Sequence, residues 1–135
     1  MYKSILDAIK DMVKQNTDYQ VVVGGNPPKE SIAITGFASG DVVNMDRDTL
    51  QTYDITINGK SGNQEQLFAD LSEIHRKLTL RKDFPHGNTW QIYSIDTASS
   101  PRLLGTEQAE RTRYIYGSAI TVKFYALGMK GENTT

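Results

Sequence analysis

The chain has no cysteine among its 135 residues, which excludes disulfides, thiolate nucleophiles and cysteine-ligated metals together. It has no surplus of either charge: 15 lysines and arginines stand against 16 aspartates and glutamates, a formal net charge of −1. A protein whose main task is gripping duplex DNA carries a basic excess, so composition argues against that task. No run approaches the ~20 apolar residues that cross a bilayer, so no membrane partner is expected. The opening MYKSILDAIKDMVKQ places Asp7 and Asp11 where a secretory signal would be apolar, so a chain made and used in the cytoplasm is expected. Histidine is scarce too, with two in the chain.

What is present is periodic apolar sequence. Residues 4 to 15 set Ile5, Ile9, Met12 and Val13 on one stripe, an amphipathic helix with Ser4 as its cap. YQVVV and SIAITGF read as strands, separated by the breaker GGNPP. Residues 38 to 48, ASGDVVNMDRD, are too polar for core and read as a loop, with room for a short strand at Val42 and Val43. TLQTYDITINGK alternates, with Tyr53, Ile55 and Ile57 inward. SGNQEQLFADLSEIHRKL is the clearest helix: Leu67, Leu71, Ile74 and Leu78 form its stripe with Phe68 beside them, and Asn63 and Gln66 have capping-box spacing. Arg76, Lys77, Arg81 and Lys82 crowd its C-terminal end, where the helix dipole favours cations. DFPHGN reads as a loop, TWQIYSID as a strand, TASSPRLLG as a turn region and 106–126 as a long strand. The pattern predicts a single α+β domain over 1–127, a mainly antiparallel sheet packed by two helices with a long closing β-hairpin, and a flexible tail over 128–135.

The sequence carries no enzyme signature. His75 lies on the second helix and His86 in a Pro-Gly loop; either is a possible base, but no motif surrounds them. Glu73 and His75 are two apart and point different ways on a helix, whereas ligands sharing a face fall three or four apart. Asp41, Asp46 and Asp48 match a calcium loop in composition but lack its central glycine and closing glutamate. VVVGGNPP has no Walker lysine, and its prolines stand where a phosphate loop starts a helix. HRKLTLRK could meet phosphate, but it also completes a helix C-terminus. No cofactor, metal or catalytic residue is expected.

ERTRYIYGSAITVKFY, residues 110 to 125, poses a different question. Extended, it would span roughly 53 Å, whereas a compact chain of this size is about 37 Å across. From Ala119 onward its even-numbered face reads as core; between Arg111 and Tyr116 it is aromatic and arginine-rich, a composition enriched at protein interfaces. Gly117 marks the changeover, where a bend is cheap. The hairpin either projects into solvent or packs on a neighbouring subunit.

The order of elements resembles the tail-terminator (tail-completion or minor capsid) proteins of long-tailed bacteriophages. An N-terminal helix is followed by YDITINGKSGNQEQLFADLSEIHRKL as strand and helix, then by WQIYSIDTASSPRLLGTEQAERTRYIYGSAITVKFY as a closing hairpin. The resemblance lies in order and length along nearly the whole chain, without a diagnostic short motif. It implies a structural virion protein of the tail or neck, made in the bacterial cytoplasm. Such a protein closes into a ring, a homohexamer by the resemblance, that caps the tail tube and ends its polymerisation. Its implied partners are further copies of itself, the major tail tube protein and a head-completion or connector protein, with DNA passing through without sequence-specific binding. Under this reading Arg111, Arg113, Tyr114, Tyr116, Asp41, Met45 and Arg47 are candidate subunit or tube contacts, and Arg76, Lys77, Arg81 and Lys82 candidate channel residues. A head–tail connector stopper or adaptor is an alternative station. A small non-viral ligand-binding or enzyme domain using His75 or His86 is a further one.

Overall fold

The computed structural model describes residues 2–24, 27–28, 30–38, 43–45, 48–108 and 112–126. In chain order these form α1 (Tyr2–Lys14), β1 (Gln20–Val23), β2 (Ser31–Ala38), β3 (Val43–Met45), β4 (Asp48–Ser61), α2 (Gln64–Thr79), β5 (Trp90–Gln108) and β6 (Thr112–Ala126). The strands make one sheet in the order β1-β2-β4-β6-β5, with β3 pairing the start of β4. β1 runs parallel to β2 and the other pairings are antiparallel. This is an α+β fold with a mainly antiparallel sheet, two helices and a long closing hairpin, as expected. Among the described residues no helix is long and apolar enough to cross a membrane.

The core follows from the two periodicities. On β4 the inward residues Tyr53, Ile55 and Ile57 are buried, and antiparallel register sets Tyr53 opposite Val122 and Ile55 opposite Ile120. Ile5, Ile9, Met12 and Val13 of α1 and Leu67, Leu71, Ile74 and Leu78 of α2 close over the same face. Each such side chain contributes roughly 1.5–3 kcal/mol on burial. α1 lies against β1 and β2, whereas α2 lies across β4, β5 and β6. The cap of α2 is half a box: Asn63 Oδ1 accepts from the Gln66 amide at 3.1 Å, but the Gln66 side chain turns away and donates to Asp70 at 2.9 Å.

Several expectations need correction, beginning with Ser4, which does not cap the first helix but lies within its first turn, since α1 begins at Tyr2. Residues 97–105 are not a turn region; β5 runs through them, and Pro101 is tolerated because β5 is the sheet edge, where a missing N–H breaks no outer ladder. The turn signals there belong to a strand of 19 residues paired with one of 15. The four extra residues are absorbed at register shifts between Ile92 and Ser94, Thr97 and Ser99, Ser99 and Arg102, and Leu103 and Gly105. The closing strand is correspondingly shorter than 106–126: residues 106–108 end β5, and β6 begins at Thr112. Within residues 38–48 the short strand for which Val42 and Val43 left room is β3, pairing Val43 with Leu50, while β2 extends through Ala38 and β4 already begins at Asp48. Asp41, Arg47, Arg111, Val42 and the tail at 128–135 lie outside the described residues.

Candidate interaction surface

The closing hairpin has two unlike halves, and the length of α2 decides where they meet. Along β6, Ile120, Val122 and Phe124 are buried beneath the helices, as the alternation predicted, and Ser118 is buried with them. α2 begins at Gln64, and its first turns reach Tyr116: Gln64 Nε2 donates to the Tyr116 hydroxyl at 2.7 Å. The ring of Phe68 lies 5.4 Å from that of Tyr116, tilted by 48°. Leu103 sits opposite Tyr116 in the ladder and therefore on the same face. Tyr114, half-buried, is next along that face, opposite Thr106.

Phe68 and Leu103 remain 44% and 48% exposed. Together with Tyr116 and Tyr114 they form an aromatic and aliphatic patch beyond the start of α2, on the helix side of the sheet. Phe68 is exposed because it stands one position off the stripe of Leu67 and Leu71. A cluster of this kind is the composition of an interface centre.

The other face of the same hairpin end is electrostatic. Arg113 is 5% exposed, and its Nε donates to Glu30 Oε2 at 3.1 Å. Lys60, 4% exposed, reaches Glu107 Oε2 at 3.0 Å. Arg113 thus turns inward to a residue 83 positions away in the chain and does not offer its guanidinium to a neighbour. The end does not stand clear of the sheet either. β4 pairs with β6 as far as Ser61 opposite Tyr114, which leaves only Thr112 and Arg113 of β6 beyond that ladder.

Gly117 sits where the halves meet, and the reason is steric. A Cβ there would come within 2.3 Å of Asn58 Oδ1 and 2.6 Å of Leu104 Cδ1, both lying over the outer face. Of the remaining candidates, Met45 lies in β3 opposite Asp48. Arg76 and Lys77 share Glu73 at 3.5 and 3.7 Å. Arg81 Nε donates to the Asp83 carbonyl at 2.6 Å, and Lys82 beside it is exposed. The basic end of α2 is therefore partly neutralised by its own neighbours through exposed, weak pairs.

The histidines assemble no catalytic group. His75 is buried, with Nε2 at 2.8 Å from Thr97 Oγ1, and its buried Nδ1 has no hydrogen-bond partner. Burial pushes its pKa below the usual 6.5. His86 is exposed and bridges Gln91. Among the described residues no group of three or more His, Asp or Glu is placed to hold a metal. A polar cleft of about 750 Å³ runs between α1 and α2, lined by residues including Lys14, Asp18, Glu30, Asp70 and Lys77. Its charges are mixed and favour no one ligand class.

Sequence reasoning had Tyr114 and Tyr116 but not Leu103, Glu30 or Lys60. An off-stripe Phe68 was a visible signal; the ion pairs, formed across long chain separations, left none. Comparison with family models gives no match, and comparison with curated proteins gives none. Among solved structures, one chain aligns over 97% of this chain and 95% of its own length, at 12% identity and a TM-score of 0.46. A likeness at that level carries no argument about function.

Proposed function

We propose that this chain is a structural virion subunit of the tail-terminator kind, which closes into a ring on the end of a phage tail tube and offers the face to which the head is joined. The observation that carries the reading is the patch of exposed Phe68 and Leu103 with half-buried Tyr114 and Tyr116, where the start of α2 meets a hairpin whose other half is buried core. A ring needs a heterologous contact, one surface of each subunit meeting a different surface of the next. A stable contact buries about 800 Å² per partner, so these four side chains serve as its centre and their surroundings as its rim. No catalysis and no cofactor are invoked; the partners are further copies of the chain, the tube protein and a head-completion protein, with DNA in transit.

The test is particle mass by light scattering, with negative-stain microscopy, of the protein alone and mixed with tail tubes. Closed rings, or caps at one tube end, are expected. Phe68→Asp and Tyr114→Asp should abolish both while leaving the far-UV spectrum and melting curve near those of the parent. Rings that ignore tubes but bind portal complexes would move the protein to the connector station. A monomer that binds neither would remove the virion reading.

A further inference from the structure

Besides the β4 ladder, Lys60 and Gln64, the hairpin end is tied to the rest of the domain through Glu30, where several segments meet. Glu30 accepts from Arg113 Nε at 3.1 Å, from the Gly62 amide at 3.0 Å and from Ser61 Oγ at 2.8 Å. These donors come from β6, from the residue following β4 and from the last residue of β4, while Glu30 itself immediately precedes β2. One carboxylate thus joins the entry to β2, the link from β4 into α2 and the end of the hairpin. Its backbone stands at φ +45°, a left-handed conformation that a residue other than glycine adopts at a cost. That cost is tolerated where surrounding bonds over-determine the position, and three donors on one side chain do so.

Arg113 depends on this contact. Its side chain is 7% exposed and its Nη1 is buried without a hydrogen-bond partner, so loss of Glu30 strands a buried cation. Lys60 of β4, with a side chain 5% exposed, gives the hairpin end a second tie through Glu107 of β5, with the buried cation on the sheet and the carboxylate on the hairpin.

We propose that Glu30 is a latch that holds the end of the closing hairpin against α2, so that the Tyr114–Tyr116–Phe68 patch exists preformed in the free subunit. The latch is a property of the single chain; only its use in assembly rests on the terminator reading. With the latch closed, Tyr116 stays in register with Gln64 and Phe68, and a partner meets an ordered surface at little conformational cost. With the latch open, the last rungs, 105–108 paired with 112–115, keep the β4 ladder at Tyr114 and Ile115 and the Lys60–Glu107 pair but lose the carboxylate that covers Arg113, and they fray more often.

The experiment is amide hydrogen exchange on the free protein, comparing the parent with Glu30→Gln and Glu107→Gln. Glu30→Gln should speed exchange at 104–108 and 112–116 by about tenfold or more, with 118–126 and 67–78 unchanged. Glu107→Gln should act on the same amides but less. Unchanged protection of the hairpin end in Glu30→Gln overturns the latch, and so does acceleration spread evenly over the whole domain or failure of that variant to fold. If the end loosens while ring formation by the parent is never seen, the latch stands and the terminator reading falls. If it loosens and rings form only from the parent, both stand.

Discussion

The two halves of the closing hairpin are made by the same pair of strands yet are held by different forces. Under α2, β6 presents Ile120, Val122 and Phe124 to a dry layer of Ile55, Ile92, Leu71 and Ile74, and non-directional apolar burial holds it. Past Gly117 the layer thins to Tyr116 and Phe68, and beyond its ladder bonds the strand is held by two cations, two partly exposed carboxylates and one tyrosine hydroxyl. Apolar packing tolerates exchange of one hydrocarbon for another; a handful of directional bonds does not. The first half is suited to carrying stability and the second to presenting a surface whose shape depends on a few atoms.

Perturbations at graded distances from that border sharpen the contrast. Leu71→Ala, in the middle of the dry layer, should cost about 2–5 kcal/mol in chemical denaturation. It should lower the stability of the whole domain, hairpin end included. A surface-like effect would show that α2 does not bury this face. Gly117→Ala is next, at about 1–3 kcal/mol, because the new methyl group must push aside Asn58 and Leu104. Both obstacles are side-chain ends, so the fold should survive and the loss should appear as a lower melting temperature.

The smallest effect is the pH dependence contributed by His75. Its pKa in the folded chain is lowered by burial. The unfolded chain therefore takes up the proton first as pH falls below about 6.5. This contribution to stability is complete above that value and is lost as pH drops towards the folded pKa. His75→Gln should flatten the melting-temperature profile between pH 7 and pH 5; a slope as steep as the parent's would place its origin elsewhere.

Which parts could be read in advance follows the same division. The stripes of α1 and α2 and the alternation of Tyr53, Ile55 and Ile57 are local patterns, visible in a window of a dozen residues, and the structure buries those side chains. Asn63 as a cap is equally local. The run from Thr97 to Gly105 misled because serine, proline and glycine mark turns, and a bulged edge strand uses the same residues. Arg113 misled for a different reason. Its alternation places it on the outer face, and nothing within ten residues reveals that Glu30 covers it. The tyrosines of the candidate surface were legible by composition; their neighbour Leu103 became one only through the register of β5 against β6.

The surplus residues of β5 have a consequence for the protein in concentrated solution. An edge strand of 19 residues would ordinarily be a seed for fibrils, because each unpaired rung invites a strand from another molecule. Here the register breaks leave no regular run longer than four residues, those at 94–97 and 105–108. That is shorter than the six or seven residues of a stacked amyloid segment. Pro101 removes one donor from the interval between them. Molecules crowded together can therefore meet through side chains on a face while their backbones find no common grammar, and contact between them has no backbone template along which to grow without end.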